Sequence, residues 1–195
     1  CRNAPPIPAK IVDEGGATVF TGDDIRKGQA VFLRYGLMNN GTIWGHGAYL
    51  GPDYSAEALH QIGIDVAADL SQRHYDQSWS ALTQMERAAI RAQVAVTLKT
   101  NRYDADSETL HLSAPEARAY YRQVGQWSRY FDDPARSGGL RQALVSDETE
   151  LRQLAAFITW AAWVSVANRP GADFSYTNNF PHDPDVGNSP TPGAL

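Results

Sequence analysis

Cysteine is almost absent from this 195-residue chain: the single residue, Cys1, has no partner for an internal disulfide. Its isolation also excludes thiolate metal clusters and any C-x-x-C redox pair. Disulfides are optional for a domain of this size, so their absence leaves the compartment open. Cys1 itself reads as inert rather than as a lipid-attachment site or a reactive thiol. Positive charge is short as well. Lys and Arg number 17 against 22 Asp and Glu, a formal net charge of -5, and no basic run interleaved with aromatics occurs. Nucleic acids and anionic membrane surfaces need the opposite balance and are excluded as partners. No segment reads as a signal peptide, and no stretch reaches the roughly 18–20 apolar residues of a bilayer span. The nearest approach, Leu154–Ala167, has the length of a buried helix.

The familiar catalytic signatures are missing too. The five histidines, His46, His60, His74, His111 and His182, form no H-E-x-x-H and no helical i, i+3 or i, i+4 pair. A cysteine-free zinc site would need several of them to converge from separate loops, and His60 and His74 read instead as helix-surface residues. There is no G-x-S-x-G elbow and no phosphate-cradling glycine loop. The carboxylate pairs Asp23/Asp24 and Asp132/Asp133 sit at expected helix ends, where capping and solvation account for them. Asn40-Gly41-Thr42 matches a glycosylation sequon, but Asn-Gly more often marks a turn.

What is present is the material of an ordinary globular core, 43% hydrophobic and 20% charged residues. Ala4–Pro8 is expected to be extended, because proline fixes φ and disfavours helix before it. Ile11-Val12 and Ala17–Phe20 flank Asp13–Gly16 as a small hairpin. Thr21 reads as the N-cap of a helix carrying Ile25, Val31 and Phe32 and ending near Gly36. Ser55 is the expected cap of a helix with the face Leu59, Ile62, Val66 and Leu70. Thr83 with Glu86 forms a capping box before a stripe of Met85, Ala89, Ala92 and Val96. Asn101–Leu112 reads as a loop with a short extended piece at Thr109–Leu112. Ser113-Ala114-Pro115-Glu116 is the strongest helix start, a capping box with proline in the first turn, and its helix should run to about Tyr130. A last helix spans about Asp147 to Asn168 and is stopped by Pro170-Gly171; beyond it the chain should be irregular. The fold class expected is mainly α, with about five helices and a small N-terminal β-hairpin. It divides as 1–20 extended segment and hairpin, 21–168 helical core and 169–195 irregular segment, together one domain.

Two features stand out. Gly41–Asp53 contains Gly41, Gly45, Gly47 and Gly51 with Trp44, His46 and Tyr49. It is either a loop wrapped on the core or a loop facing a cofactor or ion, since glycine permits close backbone approach. The last helix carries Leu151, Leu154, Ala155, Ile158 and Ala162 on one side and Phe157, Trp160, Trp163 and Val164 on the other. An all-round apolar helix is buried on every side or lends a face to a partner.

Taken in order, Ala4-Pro5-Pro6-Ile7-Pro8, Gly28-Gln29-x-Val31, Trp44-Gly45-His46-Gly47-Ala48-Tyr49, Gly51-Pro52-Asp53, Leu59-His60, Ala167–Gly171 and Tyr176-Thr177-Asn178-Asn179 resemble the extramembrane part of quinol-dependent nitric oxide reductases. The resemblance covers nearly the whole chain, although residues 70–145 match only in character. It implies a cytochrome c-like helical domain with added helices and no haem. Such a domain lies between the first and second membrane helices, on the periplasmic or extracellular face of the cytoplasmic membrane. Ala4–Pro8 would follow one membrane helix, and Pro192–Leu195 would lead into the next.

The parent reaction is reduction of two nitric oxide molecules to nitrous oxide and water. The parent is expected to hold two b-type haems, a non-haem iron and calcium, with electrons supplied by quinol. Those irons are held by membrane helices, so this chain alone is expected to be inactive, with no cofactor and no catalytic residue of its own. Its expected partner is its own membrane-embedded catalytic domain. The domain is also similar to the small cytochrome c component of the cytochrome-dependent relatives. Counting back from Gly45 by their spacing puts the haem cysteines at Leu37 and Asn40 and the axial histidine at Gly41. Covalent haem is thereby excluded, and Leu37 and Met38 are expected to help fill the vacated space.

The resemblance further assigns Gly47 and Tyr49 to a partial calcium site, and Trp44, His46, Thr177, Asn178, Asn179 and Phe180 to docking on the membrane core. Phe180 stands where the segment after Thr-Asn-Asn in the quinol-dependent family usually continues with tryptophan, so an indole donor is lost. Two other readings remain: an electron carrier with non-covalent haem on His46 or Met38, and an independent soluble binding module.

Overall fold

Five helices form among residues 4–192, the residues described by a computed structural model, and three of them start at the caps the sequence places, Thr21, Thr83 and Ser113. Cys1, expected to be inert, and Gly193–Leu195, expected to lead toward a membrane helix, lie outside the described residues. The first helix, α1 (Gly22–Arg34), starts at Thr21, whose hydroxyl accepts from the Asp24 N–H while the Asp24 carboxylate accepts from the Thr21 N–H. Its buried face is the expected Ile25, Val31 and Phe32. In α2 (Tyr54–Tyr75) Leu59, Ile62 and Val66 are buried and Leu70 is half-buried. α3 (Gln84–Lys99) follows Thr83. α4 (Ala114–Asp132) begins with Pro115 in its first turn, and Glu116 accepts the Ser113 N–H at 2.8 Å. α5 (Glu148–Val166) is capped by Asp147.

Two local expectations need correction. The cap of α2 is Asp53, whose carboxylate accepts from the Ala56 N–H at 2.8 Å; Ser55 already lies inside the helix. In α3 the capping box of Thr83 and Glu86 forms, but the stripe Met85, Ala89, Ala92 and Val96 faces solvent, with Met85 84% and Val96 69% exposed. The buried residues are Ile90, Val94 and Leu98. Two apolar stripes compete on that helix, and the one with the larger branched side chains covers more core.

The hairpin of β1 (Lys10–Val12) and β2 (Thr18–Thr21) forms as expected. β1 also pairs in parallel with β6 (Thr109–His111), Ile11 opposite Leu110. β6 in turn pairs antiparallel with β5 (Tyr103–Asp104), inside the segment expected to be a loop, giving the order β2-β1-β6-β5. This sheet joins segments about a hundred residues apart, a pairing that no local pattern announces.

α5 is the centre of the molecule and packs against α1, α2, α3 and α4. Every residue from Leu154 to Ala167 is buried, so its all-round apolar character is that of a core helix rather than of a free partner face. After it the described residues hold no long element but are firmly built. Asn188 is fully buried, donating to the carbonyls of Ser165 and Pro181 and accepting from the Lys99 ammonium.

Candidate functional site

The glycine loop is a tight hairpin stapled to the start of α2. Strands β3 (Thr42–Ile43) and β4 (His46–Gly47) pair around Trp44 (φ 52°) and Gly45 (φ 77°). Two consecutive positive φ angles make the mirror-image turn that suits the twist of a two-residue hairpin. For a residue as bulky as tryptophan that region is unfavourable. It is offset by fixed contacts: the Trp44 indole N–H donates to the Ala161 carbonyl at 3.0 Å, and its ring meets Trp160 at 5.8 Å.

Asp53 ties the hairpin down. One carboxylate oxygen accepts from the Gly45 N–H at 2.6 Å and the Thr42 hydroxyl at 2.7 Å. The other accepts from the Ala56 N–H and the Ser55 hydroxyl, while Ser55 Oγ accepts from the Trp44 N–H at 3.0 Å. Helix capping and loop anchoring therefore meet in one side chain, a role not assigned to Asp53 from the sequence. Its position before a helical apolar pattern was the available signal.

Beyond Trp44 the loop turns to solvent. His46 and Gly47 are exposed, Tyr49 is 85% and Leu50 74% exposed, and the Tyr49 hydroxyl lies 3.4 Å from the Gly45 carbonyl. The segment expected to share its role comes to the same place: the Phe180 ring lies against Gly45, where even a methyl group would be 3.0 Å from the ring. Thr177 Oγ1 donates to the Phe180 carbonyl at 2.6 Å, Asn178 accepts from Arg169 at 2.8 Å, and the buried Asn179 accepts from the Lys99 ammonium at 3.1 Å. The structure thus brings Trp44–Gly45 and Phe180 together. Asn178 and Asn179 act within their own loop, where both have positive φ.

The positions assigned to a haem motif have another occupation. Leu37 is fully buried, as expected of a space filler, but Met38 is 38% exposed and does not share that role. Asn40 is buried and central. Its amide nitrogen donates to the Ser137 carbonyl at 2.8 Å, and its amide oxygen accepts from the hydroxyls of Tyr54 and Tyr130, each at 3.0 Å. A glycan on Asn40 is incompatible with this burial. Around it Tyr54, Trp127, Tyr130 and Phe131 pack edge to face or tilted, with ring centroids 5.2–6.0 Å apart. Burial raises the phenols of Tyr54 and Tyr130 above their ordinary value, so both stay protonated donors. The motif positions thus carry neither thiol nor imidazole, and aromatic rings occupy their surroundings. These residues do not fit a haem.

Calcium fits no better within this chain alone. The oxygens of Asp53 are already engaged by protein donors, and among the described residues no group of three His, Cys, Asp or Glu side chains is placed to hold a metal. All five histidines are exposed, and His60 Nδ1 meets Asp183 at 3.2 Å. Among the described residues no helix is long and apolar enough to cross a membrane.

Compared with known families, residues 8–182 match the one described as the NorB cytochrome c-like domain of nitric oxide reductase. No curated protein matches the chain at a significant level.

Proposed function

The chain belongs to the NorB cytochrome c-like domain family of nitric oxide reductase, and on that premise we propose that it is the non-catalytic docking domain of a quinol-dependent enzyme. The mainly α fold is that of a cytochrome c-like domain whose haem positions have been rebuilt as core. The parent reduces two nitric oxide molecules to nitrous oxide and water, with quinol as electron donor. Its haems and non-haem iron are held outside this chain, which lies on the periplasmic or extracellular face of the membrane.

The observation that carries the docking reading is the convergence of the glycine hairpin with Phe180 beside an exposed apolar rim of Met38, Tyr49 and Leu50. Exposed apolar surface next to a fixed loop marks an interaction site, and a membrane-embedded partner is the one a domain of this family has. Hydrogen exchange tests it: residues 44–50 and 177–180 should exchange more slowly in the parent enzyme than in the 195-residue chain. Equal exchange would overturn the reading. A Soret band in the purified chain, lost on His46→Ala or Met38→Ala, would favour the electron carrier instead.

Calcium wants six to eight oxygen ligands. Gly47 and Tyr49 offer two, so the chain alone should bind the ion weakly and the membrane part must complete the site. Calorimetric titration with calcium chloride should give no tight isotherm; stoichiometric micromolar binding would refute this.

A further inference from the structure

We propose that the groove between α2 and α4 is a binding site for a small monocarboxylate. The groove has a volume of about 390 Å³, inside the range of roughly 300–1,000 Å³ typical of small-ligand sites. Trp127 and Tyr130 line it, both more than nine-tenths buried, with Leu50 and Pro52 at its edge. Arg129 and Arg136 also line it.

Among the described residues these two arginines share the lack of an ion pair with Arg26, Arg87, Arg141 and Arg169, but they alone of that group line this groove. Farther along the same two helices charge is closed off in pairs, Arg118 with Asp69 and Arg122 with Asp65. Arg34, Arg73, Arg91, Arg102 and Arg152 are likewise ion-paired. Arg129 and Arg136 form no ion pair among the described residues, although the chain has a net charge of -5 and could spare a carboxylate. Two arginines without ion pairs on one concavity suit a carboxylate, which a guanidinium fork can bind through two parallel N–H donors. The amides of Gln61 and Gln126, 3.3 Å apart on the wall, add neutral donors.

The class of anion follows from the remaining lining. Glu57 is the one carboxylate in the groove, so the lining carries two positive charges against one negative. That balance suits a single negative charge better than a phosphate dianion or a tricarboxylate. The site lies on α2, α4 and the loop at Leu50–Pro52, and it does not depend on the docking reading.

Benzoate is the probe, titrated into the 195-residue chain and followed by ¹H–¹⁵N NMR. Saturable shifts are expected at the Trp127 indole N–H and at the Arg129 and Arg136 side chains. Benzamide, the neutral isostere, should bind at least tenfold more weakly. Arg129→Gln/Arg136→Gln should lose at least tenfold for benzoate, a difference of about 1.4 kcal/mol. Both arginines are exposed, so the double variant should keep a native spectrum, and that spectrum is the folding control. Equal binding of benzamide, unchanged binding in the native-like double variant, or no saturation by ~10 mM benzoate would overturn the proposal. Tighter binding of inorganic phosphate than of benzoate would also overturn it, leaving a plain anion patch.

Discussion

Asn40 shows what a single side chain does where solvent cannot help. Its amide satisfies two phenols and one carbonyl at once. Asn40→Ala would strand the hydroxyls of Tyr54 and Tyr130 in the core, and a buried donor without an acceptor costs roughly 1–3 kcal/mol. The expected loss is about 2–4 kcal/mol of unfolding free energy, measured by urea denaturation. A loss below ~0.5 kcal/mol would mean that water reaches the site. The sequence marked Asn40 as a sequon or turn residue and as a place where a cysteine is missing. Its positive role depends on Tyr54, Tyr130 and Ser137, which are distant in sequence and invisible to any local pattern.

Among the elements, α1 packs tightly against α5 at Gly28. A methyl group at Gly28 would overlap the Gln153 carbonyl and crowd Phe157. Gly28→Ala must push the two helices apart, and overpacking of this kind costs about 1–3 kcal/mol, against a gain of up to about 1 kcal/mol from helix propensity. A net loss of stability is therefore expected in thermal unfolding, and a rise in Tm would show that the interface yields.

α4 supplies a second, pH-dependent case. Glu116 is buried at its start, paired with Arg102 and bonded by Ser113. Burial outweighs those partners and raises its carboxyl above the ordinary 4.5. The folded state then holds this proton more tightly than the unfolded chain, so the group's contribution is most favourable below the unfolded pKa and declines as pH rises toward the folded one. Glu116→Gln keeps a side chain suited to the capping box and removes the titration. The stability of the unaltered protein minus that of the variant should fall as pH increases from about 4; a difference that stays flat or rises would refute the assignment.

Element starts were legible because caps are local: Thr21, Thr83 and Ser113 each sit within three residues of the group they bond. The face of α3 was not, because Met85–Val96 and Ile90–Leu98 satisfy the same periodicity and only tertiary packing chooses between them. The parallel pairing of β1 with β6 was hidden for the same reason.

At the scale of the whole molecule, the question is whether haem could return by restoring its motif. Leu37→Cys/Asn40→Cys/Gly41→His recreates C-x-x-C-H at the positions the spacing indicates. The structure resists each change. Leu37 is fully buried and its replacement would leave a void, and loss of Asn40 would release its two tyrosines. At Gly41 any side chain would collide with the Pro52 carbonyl and the Tyr54 ring. A plane the size of haem would also have to displace Tyr54, Trp127 and Tyr130, a close-packed aromatic cluster whose interior has no room to spare. Expressed with a haem-attachment system, the triple variant should show no covalent haem by mass and no Soret band, and should unfold at a lower temperature than the unaltered chain. Covalent haem in a stable product would mean that the cluster is a movable filling. Its absence would mean that loss of the motif and repacking of the core are one change, which mutating the motif alone does not reverse.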